Sequence, residues 1–329
     1  MKKRICLLFA ALLCVSFTAC QQTETAPSTP ESSASSEPAS LPAESSEVSE
    51  TVYEPILTLE EYPKVDGSTA NLPLMAKVLA RSCGIDETDA ESYCAASKTA
   101  QSWLNLSQGY ADLLLVYEAP DSVKEELADG PELEITAIGR DALVFIVNEQ
   151  NPVQTLSQDQ LRDIYTGAVT NWSELGGEDL DIVPFQRDET SGSFTLFKKL
   201  LIGDRELTLL DPPSELRPGM MGGLVDGLAE YNNEGSAIGY SVYYYINEMY
   251  AKPGLRMIAV DGVTPSYDTI ASADYPLCNE FYAVIRADEP KNSPARKLYE
   301  WICSPETGKQ TLIDAGYVPA EDVSGGANG

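Results

Sequence analysis

A loop with one arginine and two serines is the strongest chemical signal in the sequence. It follows a strand-like segment, residues 181–187, and leads into a helix that begins near Phe194. The guanidinium of Arg187 is a planar fork of donors that suits a tetrahedral oxyanion. An ion pair between Arg187 and Glu189, together with a serine helix cap, explains the same residues without a ligand. The residues of this candidate anion loop are Arg187, Ser191, Gly192 and Ser193.

Two more hydroxyl-rich turns stand directly before predicted helices. One begins at Gly67 and precedes a helix over residues 74–82, and the other precedes a helix over residues 99–108. Hydroxyls and free N–H groups at a helix N-terminus form a cradle for an anion. Plain helix capping accounts for them equally well. The candidate ligand groups are Ser68, Thr69, the N–H of Ala70, Ser97 and Thr99.

Asp112 stands at the front of an apolar strand over residues 112–117. A carboxylate in this position caps the strand or pairs with a neighbouring cation. It can also accept a hydrogen bond from a protonated ligand oxygen.

The rest of the chain alternates strands with helices, which predicts an α/β fold with mostly parallel sheets. Ligands of such sheets bind outside the carboxyl ends of strands, where helix N-termini point. About 270 residues of folded chain favour two lobes over one. Further predicted helices cover residues 157–165, 193–202, 222–232, 294–304 and 307–315, and further strands cover 133–138, 142–147, 181–185, 237–240, 255–260 and 281–285.

Composition excludes several classes of function. The chain has 329 residues, a formal net charge of −29 and no histidine. Nucleic-acid binding needs clustered Lys and Arg, so such a partner is not expected. Without histidine there is no Ser-His-Asp or Cys-His catalysis and no His-ligated metal. We expect a binding protein with no metal and no cofactor. A hydrolase with Ser191 as nucleophile would need a Lys or carboxylate base, and no G-x-S-x-G elbow is present.

The N-terminal residues predict an export signal followed by a flexible tether. Residues 1–19 form a signal peptide, with a basic start and an apolar run too short for a permanent membrane span. The run ends at Cys20, which resembles the lipidated cysteine of bacterial lipoproteins; ordinary signal cleavage is the alternative. Residues 20–52 are rich in Ser, Pro and Glu and predict a disordered tether. Residues 322–329 predict a flexible C-terminus.

Four cysteines remain in the folded part. In an exported protein an even set permits disulfides, with sequence-local pairing as one of three connectivities, and four buried free thiols are the other interpretation. No C-x₂-C pair supports a Cys₄ zinc site. The cysteines are Cys83, Cys94, Cys278 and Cys303.

Several segments resemble the phosphate-binding proteins of phosphate ABC transporters, within the type II periplasmic binding proteins. The loop from Arg187 to Ser193 matches the family's R-x-x-x-S-G-[TS] motif. Residues 156–177, with their Asn-Trp pair, and residues 66–69 and 237–241 agree as well. The resemblance covers residues 62–319. The segment 97–101 departs from it, because the family has a Ser-Gly-rich loop there.

The resemblance implies a two-lobed, hinged receptor that binds inorganic phosphate between its lobes and delivers it to permease subunits. Lobe 1 would comprise residues 53–140 plus 256–321, and lobe 2 residues 141–255. Two crossover strands, near residues 138–147 and 255–260, would form the hinge. In the family an aspartate accepts the proton of hydrogen phosphate, and Asp112 matches it. The receptor would be a monomer outside the cytoplasm, held to the cell membrane by the lipid alone.

A second hypothesis keeps the fold and changes the function. The departure around Ser97 and Thr99 is consistent with a surface-anchored sensor or adhesion module. Such a module would bind another oxyanion or no small ligand.

Overall fold

The protein is represented by a computed structural model that describes residues 53–231 and 235–320. The predicted signal peptide, the predicted lipidation site Cys20, the whole predicted tether and the predicted C-terminal segment lie outside the described residues. None of the helices in the described part is long and apolar enough to cross a bilayer.

Short strands surround one long strand in the described residues. The long one, β3, runs over 16 residues where the sequence predicted two separate strands. Our strand over residues 181–185 shortens to two residues, and the one over 255–260 divides in two. The strands are β1 Val65–Gly67, β2 Leu113–Val116, β3 Leu133–Asn148, β4 Thr155–Leu156, β5 Val183–Pro184, β6 Ala237–Val242, β7 Leu255–Met257, β8 Ala259–Val260, β9 Cys278–Arg286 and β10 Val318–Pro319.

The helices lie between these strands and carry the expected caps. Ser157 caps its helix through a capping box, and Gly167 ends it in the left-handed conformation. The helices are α1 Leu72–Cys83, α2 Glu87–Tyr93, α3 Thr99–Ser107, α4 Asp121–Ala128, α5 Gln158–Thr166, α6 Gly192–Leu196, α7 Met221–Glu230, α8 Tyr267–Ala271, α9 Pro294–Ile302 and α10 Gly308–Asp314. Within residues 53–231 and 235–320 there are also two π-helical segments, Phe197–Ile202 and Tyr245–Met249, and three 3₁₀ turns, Thr69–Asn71, Trp172–Leu175 and Ser214–Leu216.

Strand directions differ from our prediction of mostly parallel sheets. The main sheet has the order β1-β2-β9-β3-β6-β5, with β7 and β10 also paired to β3. The pairs β1–β2, β5–β6 and β4–β8 are parallel, whereas every pair made by β3 or β9 is antiparallel. Strands buried on both faces read as continuous apolar runs in either direction, so the sequence pattern did not reveal the antiparallel pairing.

β3 connects the two halves of the main sheet. Its first part, residues 133–142, pairs with β9, and its second part, residues 143–148, pairs with β6 and β7. The register shifts between Ala137 and Gly139. A Cβ on Gly139 would lie 2.2 Å from the ring of Phe281, so only glycine fits at this irregularity.

All four cysteines of the described part are free thiols. They are partly buried and contact the hydrophobic core. The structure therefore agrees with the second of the two interpretations above, in which no disulfide forms.

Candidate anion-binding site

One wall of the candidate site is built at the carboxyl ends of the parallel strands β1 and β2. Ser68 follows β1 directly, and its hydroxyl lies 2.8 Å from Thr99 Oγ1 at the start of α3. The same hydroxyl accepts a hydrogen bond from the backbone N–H of Tyr117, 3.1 Å away, just beyond β2. Two strand ends and one helix start are thus joined through a single serine.

The candidate anion loop forms the facing wall. Ser191 is the N-cap of α6, and its hydroxyl accepts a hydrogen bond from the N–H of Phe194 at 3.2 Å. The helix that begins at Gly192 continues through the π-helical segment to Ile202. The expected serine cap is therefore present, and Gly192 and Ser193 at the start of the helix line the cavity described below.

Arg187 is the electrostatic centre of the loop. Its side chain is buried, with 4% of the residue exposed, and its backbone N–H donates to the hydroxyl of Tyr240 at 3.1 Å. Nε and Nη1 have no hydrogen-bond partner among the described residues, and neither does the hydroxyl of Ser193, which is 1% exposed. Burial lowers the pKa of Arg187, yet an arginine stays protonated. A buried cation with free donors calls for an anionic partner, because unpaired buried polar groups are costly.

The two walls touch each other. A Cβ added to Gly192 would lie 2.4 Å from Thr99 Oγ1, so only a glycine allows this approach. Lys98 Nζ donates to the carbonyl of Gly219 at 3.1 Å, and Lys199 pairs with Glu118. These contacts join residues 98–118 to residues 192–219 across the site.

A cavity of about 430 Å³ lies between the walls. Seven of the predicted ligand residues line it: Ser68, Thr69, Thr99, Arg187, Ser191, Gly192 and Ser193. The other lining residues are Ala96, Lys98, Tyr117, Met220, Met221, Gly222, Gly223, Asp226, Val242, Tyr245 and Tyr250.

Two predicted residues, the buried Ala70 and the exposed Ser97, do not line the cavity. Ala70 is fully buried, and its carbonyl accepts a hydrogen bond from the hydroxyl of Tyr317 at 2.7 Å. Ser97 donates its N–H to Asp66 Oδ1 at 2.8 Å and accepts from Asn105 at 3.1 Å. Both residues serve their neighbours in the fold, so they support the wall.

Asp112 is the predicted ligand residue that lies furthest from the cavity. It precedes β2, whereas the cavity lies beyond the other end of that strand, roughly 13 Å away at 3.3 Å per residue. Its carboxylate accepts from the N–H of Lys64 at 3.0 Å and pairs with Arg286 at 3.4 Å. The carboxylate lies at the opposite end of β2 from the cavity, and our prediction of it as a ligand group is wrong for this geometry.

The acid that does line the cavity comes from a part of the chain without a motif. Asp226 of α7 accepts hydrogen bonds from the hydroxyl of Tyr250 at 3.0 and 3.2 Å, and Lys252 pairs with it at 2.9 Å. These partners lower its pKa. Nothing in the local sequence signalled residues 220–226, because they reach the site only through the tertiary fold.

Lys98 was also missed, although it stands between two predicted residues. Its backbone has φ of 70°, a conformation that residues with a side chain rarely adopt. Strain of this kind concentrates at functional sites, and here it accompanies the Lys98 contact across the cavity.

A resident metal finds no support in the described residues, where no group of three or more Cys, Asp or Glu side chains is placed to hold an ion. The donors that line the cavity suit an anion, because they are a guanidinium, an ammonium and hydroxyls, and the carboxylate of Asp226 is paired with Lys252.

Comparison with known proteins agrees with this architecture. The family model of the PBP superfamily domain matches residues 42–306. The chain belongs to this family. A curated relative in the PBP superfamily, the phosphate-binding protein PstS of Bacillus subtilis, is 24% identical over 270 residues, which are 80% of this chain and 83% of the relative. PstS of Borreliella burgdorferi is 23% identical over 79% of this chain and 90% of its own.

Solved structures show the same PBP fold. An ABC-type phosphate transport receptor from Vibrio cholerae aligns with a TM-score of 0.57 at 21% identity, over 77% of this chain and 98% of its own. A substrate-binding protein from Clostridium perfringens aligns with a TM-score of 0.60 at 22% identity, over 78% of this chain and 98% of its own. That protein is assigned to a phosphate ABC transporter and was crystallised with bound phosphate. The predicted two-lobed periplasmic-binding fold is confirmed.

Proposed function

We propose that this protein is an extracytoplasmic solute-binding lipoprotein that binds inorganic phosphate between two lobes and delivers it to an ABC permease. The observation that carries the proposal is the buried guanidinium of Arg187, whose Nε and Nη1 lack partners beside the unpartnered hydroxyl of Ser193. A tetrahedral oxyanion would supply acceptors for all three groups. The phosphate-binding relatives described above support phosphate as that oxyanion.

The negative charge of the chain does not oppose this binding. The free energy of a charge pair depends on distance and local dielectric, and surface charges beyond about 8–10 Å are screened by salt. Within the cavity the nearest groups dominate. These include Arg187, Lys98 and the serine hydroxyls, and the carboxylate of Asp226 is already paired with Lys252.

We assign the wall with Ser68 and Thr99 to lobe 1, residues 53–140 plus 256–321, and the wall with Arg187 to lobe 2, residues 141–255. The crossovers near residues 138–147 and 255–260 would be the hinge. The approach of Gly192 to Thr99 supports a closed arrangement, because these residues belong to different lobes in this assignment.

Lipidation at Cys20, a membrane attachment through that lipid alone, a permease partner and a monomeric state complete the proposal. The sequence motif before Cys20 supports the anchor. The relatives that serve phosphate transporters support the permease partner and a binding function without catalysis.

A surface-anchored module for another oxyanion is the second candidate, and the position of Asp112 favours it. A carboxylate that accepts the proton of hydrogen phosphate would reject sulfate, since sulfate carries no such proton at neutral pH. With Asp112 engaged by Lys64 and Arg286 at the far edge of the sheet, this means of discrimination is missing.

Calorimetry on the full chain in detergent tests both candidates with phosphate, sulfate, arsenate and molybdate. The proposal expects phosphate to bind well below 1 mM, and Arg187→Lys to weaken it by about 10- to 100-fold, because the bidentate fork is lost. Arg205→Lys is the control, since Arg205 contacts the carbonyl of Ile202 outside the cavity. Absence of phosphate binding at about 1 mM contradicts the proposal, and preferential binding of another oxyanion selects the second candidate.

A further inference from the structure

Lys98 adopts a backbone conformation that normally belongs to glycine. It has φ of 70° and ψ of 164°, a region that is open essentially only to a residue without a Cβ. Two other non-glycine residues of the described part have positive φ, Asp261 and Ala273, and neither of them lines the cavity. A glycine would fit position 98 without strain, so the reason for a lysine lies in its side chain.

The backbone on either side holds this conformation in place. The N–H of Ser97 donates to Asp66 Oδ1 at 2.8 Å. The carbonyl of Lys98 accepts from the N–H of Ser102 at 3.0 Å, which fixes the start of α3. A strained residue persists where its surroundings determine its backbone in this way. Neither of these two anchors involves the Lys98 side chain, so the fold does not depend on that side chain for them.

The Lys98 ammonium has no carboxylate partner among the described residues. Its Nζ donates to the carbonyl of Gly219 at 3.1 Å, on the far side of the cavity. Gly219 adjoins the candidate anion loop, because a Cβ added to it would lie 4.0 Å from Asp188 Oδ2, and Asp188 directly follows Arg187. An ammonium has three N–H donors, so two donors of Lys98 are available to a ligand in the cavity.

Each wall of the cavity contributes one cation. Lys98 belongs to the wall built at the ends of β1 and β2, and Arg187 belongs to the facing wall. The carboxylate that lines the cavity, Asp226, is paired with Lys252 at 2.9 Å and leaves both cations without a counterion. Two such cations repel each other, and an anion placed between them replaces the repulsion by attraction to both walls.

We propose that Lys98 is a second binding cation of the oxyanion site, and that its ammonium contacts the bound phosphate from the wall opposite Arg187. The inference rests on the proposed function, since it adds a residue to the same phosphate site. A phosphate held by both cations links the two walls and favours their closed arrangement. The strained backbone of Lys98 lowers the stability of the fold, and the gain in affinity offsets this loss.

Lys98→Met tests the charge, because it keeps an unbranched side chain of similar length. Calorimetry on the full chain with inorganic phosphate is expected to show an affinity at least about tenfold lower, as for the loss of a hydrogen bond between charged groups. Raising the salt concentration from about 0.05 to 0.5 M should weaken the variant less than the wild type, since one charge fewer is screened. Lys124→Met is the control, because Lys124 is an exposed lysine that does not line the cavity.

Lys98→Gly tests the strain. It is expected to weaken phosphate binding as much as Lys98→Met does, and to raise the melting temperature of the ligand-free protein by about 2–4 °C, because glycine adopts this backbone freely. Lys98→Met retains a Cβ and should not gain this stability. Ala273→Gly is the matched control, since it relieves a positive φ at an exposed position outside the cavity. It should raise the melting temperature and leave the phosphate affinity unchanged.

The outcomes separate the role of Lys98 from the proposed function. A phosphate affinity of Lys98→Met within about twofold of the wild type overturns the inference, and so does a lower melting temperature of Lys98→Gly, which would show a structural role. An equal loss of affinity in Lys124→Met also overturns it, because the effect would then reflect the overall charge. In all three cases the wild type still binds phosphate and the proposed function stands. Absence of phosphate binding by the wild type overturns both.

Discussion

The Tyr117 hydroxyl donates a hydrogen bond to Asp141 Oδ2 at 2.6 Å, and this contact joins the cavity to the strand that connects the two halves of the sheet. Tyr117 lines the cavity, and Asp141 lies within β3 close to the change of pairing partners. Oδ1 of Asp141 accepts from the backbone N–H of Tyr244 at 3.1 Å. One carboxylate thus holds chain segments from both halves of the sheet.

Burial of Asp141 predicts a pH-dependent stability. Desolvation raises its pKa to about 6, whereas an unfolded aspartate titrates near 4. Between these values the folded state binds the extra proton, so the free energy of unfolding falls as the pH rises from about 4 to about 6 and levels off above. The contribution is on the order of 3 kcal/mol, at about 1.4 kcal/mol per pKa unit.

Urea unfolding of the wild type and of Asp141→Asn at pH 4, 5, 6 and 7 measures this contribution. The difference between the two proteins is expected to shrink as the pH rises, because the variant lacks the titrating group. Asp129→Asn, at an exposed position, serves as the control. A difference that stays constant from pH 4 to 7 would show that Asp141 does not titrate in this range.

Gly192→Ala is expected to weaken phosphate binding at least tenfold. The new methyl group would lie 2.4 Å from Thr99 Oγ1, so the two walls must separate to accommodate it. Calorimetry on the single variants and on the Gly192→Ala, Thr99→Ala pair isolates this clash. Because Thr99→Ala removes the opposing hydroxyl, Gly192→Ala should reduce the affinity for phosphate much less in that background. Equal penalties in both backgrounds would exclude the clash as the cause.

Asp112→Asn is expected to leave the ratio of phosphate to sulfate affinity unchanged within about twofold. Its carboxylate is engaged by Lys64 and Arg286, far from the cavity. The substitution should instead lower the free energy of unfolding by about 0.5–1 kcal/mol, as for a partly exposed ion pair. Competition titrations measure the ratio of phosphate to sulfate affinity, and urea unfolding measures the free energy of unfolding. A smaller ratio of phosphate to sulfate affinity in Asp112→Asn would show that Asp112 does take part in ligand recognition.

The cysteines are expected to react slowly with alkylating reagents in the folded protein. Burial raises the pKa of Cys94 and Cys278 to about 11 and that of Cys303 to about 12, and it also raises that of Cys83. Since the thiolate is the nucleophile, alkylation at pH 8, followed site by site by mass spectrometry, should be at least tenfold slower than in urea. A site that resists alkylation even in urea would indicate a disulfide.

Local motifs predicted residues that the structure brings together in one cavity. Serines, threonines and glycines directly before a helix either cap that helix or bind a ligand. The chain order of strand, turn and helix places them at the carboxyl ends of the strands. This reasoning needs no knowledge of strand direction beyond β1 and β2, which are parallel as expected. Ser68, Thr99 and Arg187 accordingly meet in one cavity.

The rest of the site depends on tertiary structure that no local pattern contains. Asp112 was placed correctly at the front of its strand, but the ligand role came from the family resemblance, and the cavity lies at the other end of that strand. Met221 and Tyr250 reach the cavity from segments without polar turns or glycine motifs of known meaning. The long β3 appeared as two strands because Gly139 interrupts the apolar run, although the backbone continues through it.

The position of β9 constrains the order in which the chain can fold. β9 lies between β2 and β3 in the sheet, although it begins 130 residues after β3 ends, at residue 278 against residue 148. A chain that emerges N-terminus first therefore holds β1 and β2 apart from β3 until residues 278–286 arrive. The first half of the sheet closes last, so a chain that lacks its C-terminal fifth leaves the wall that carries Ser68 and Thr99 without the strand that joins it to β3.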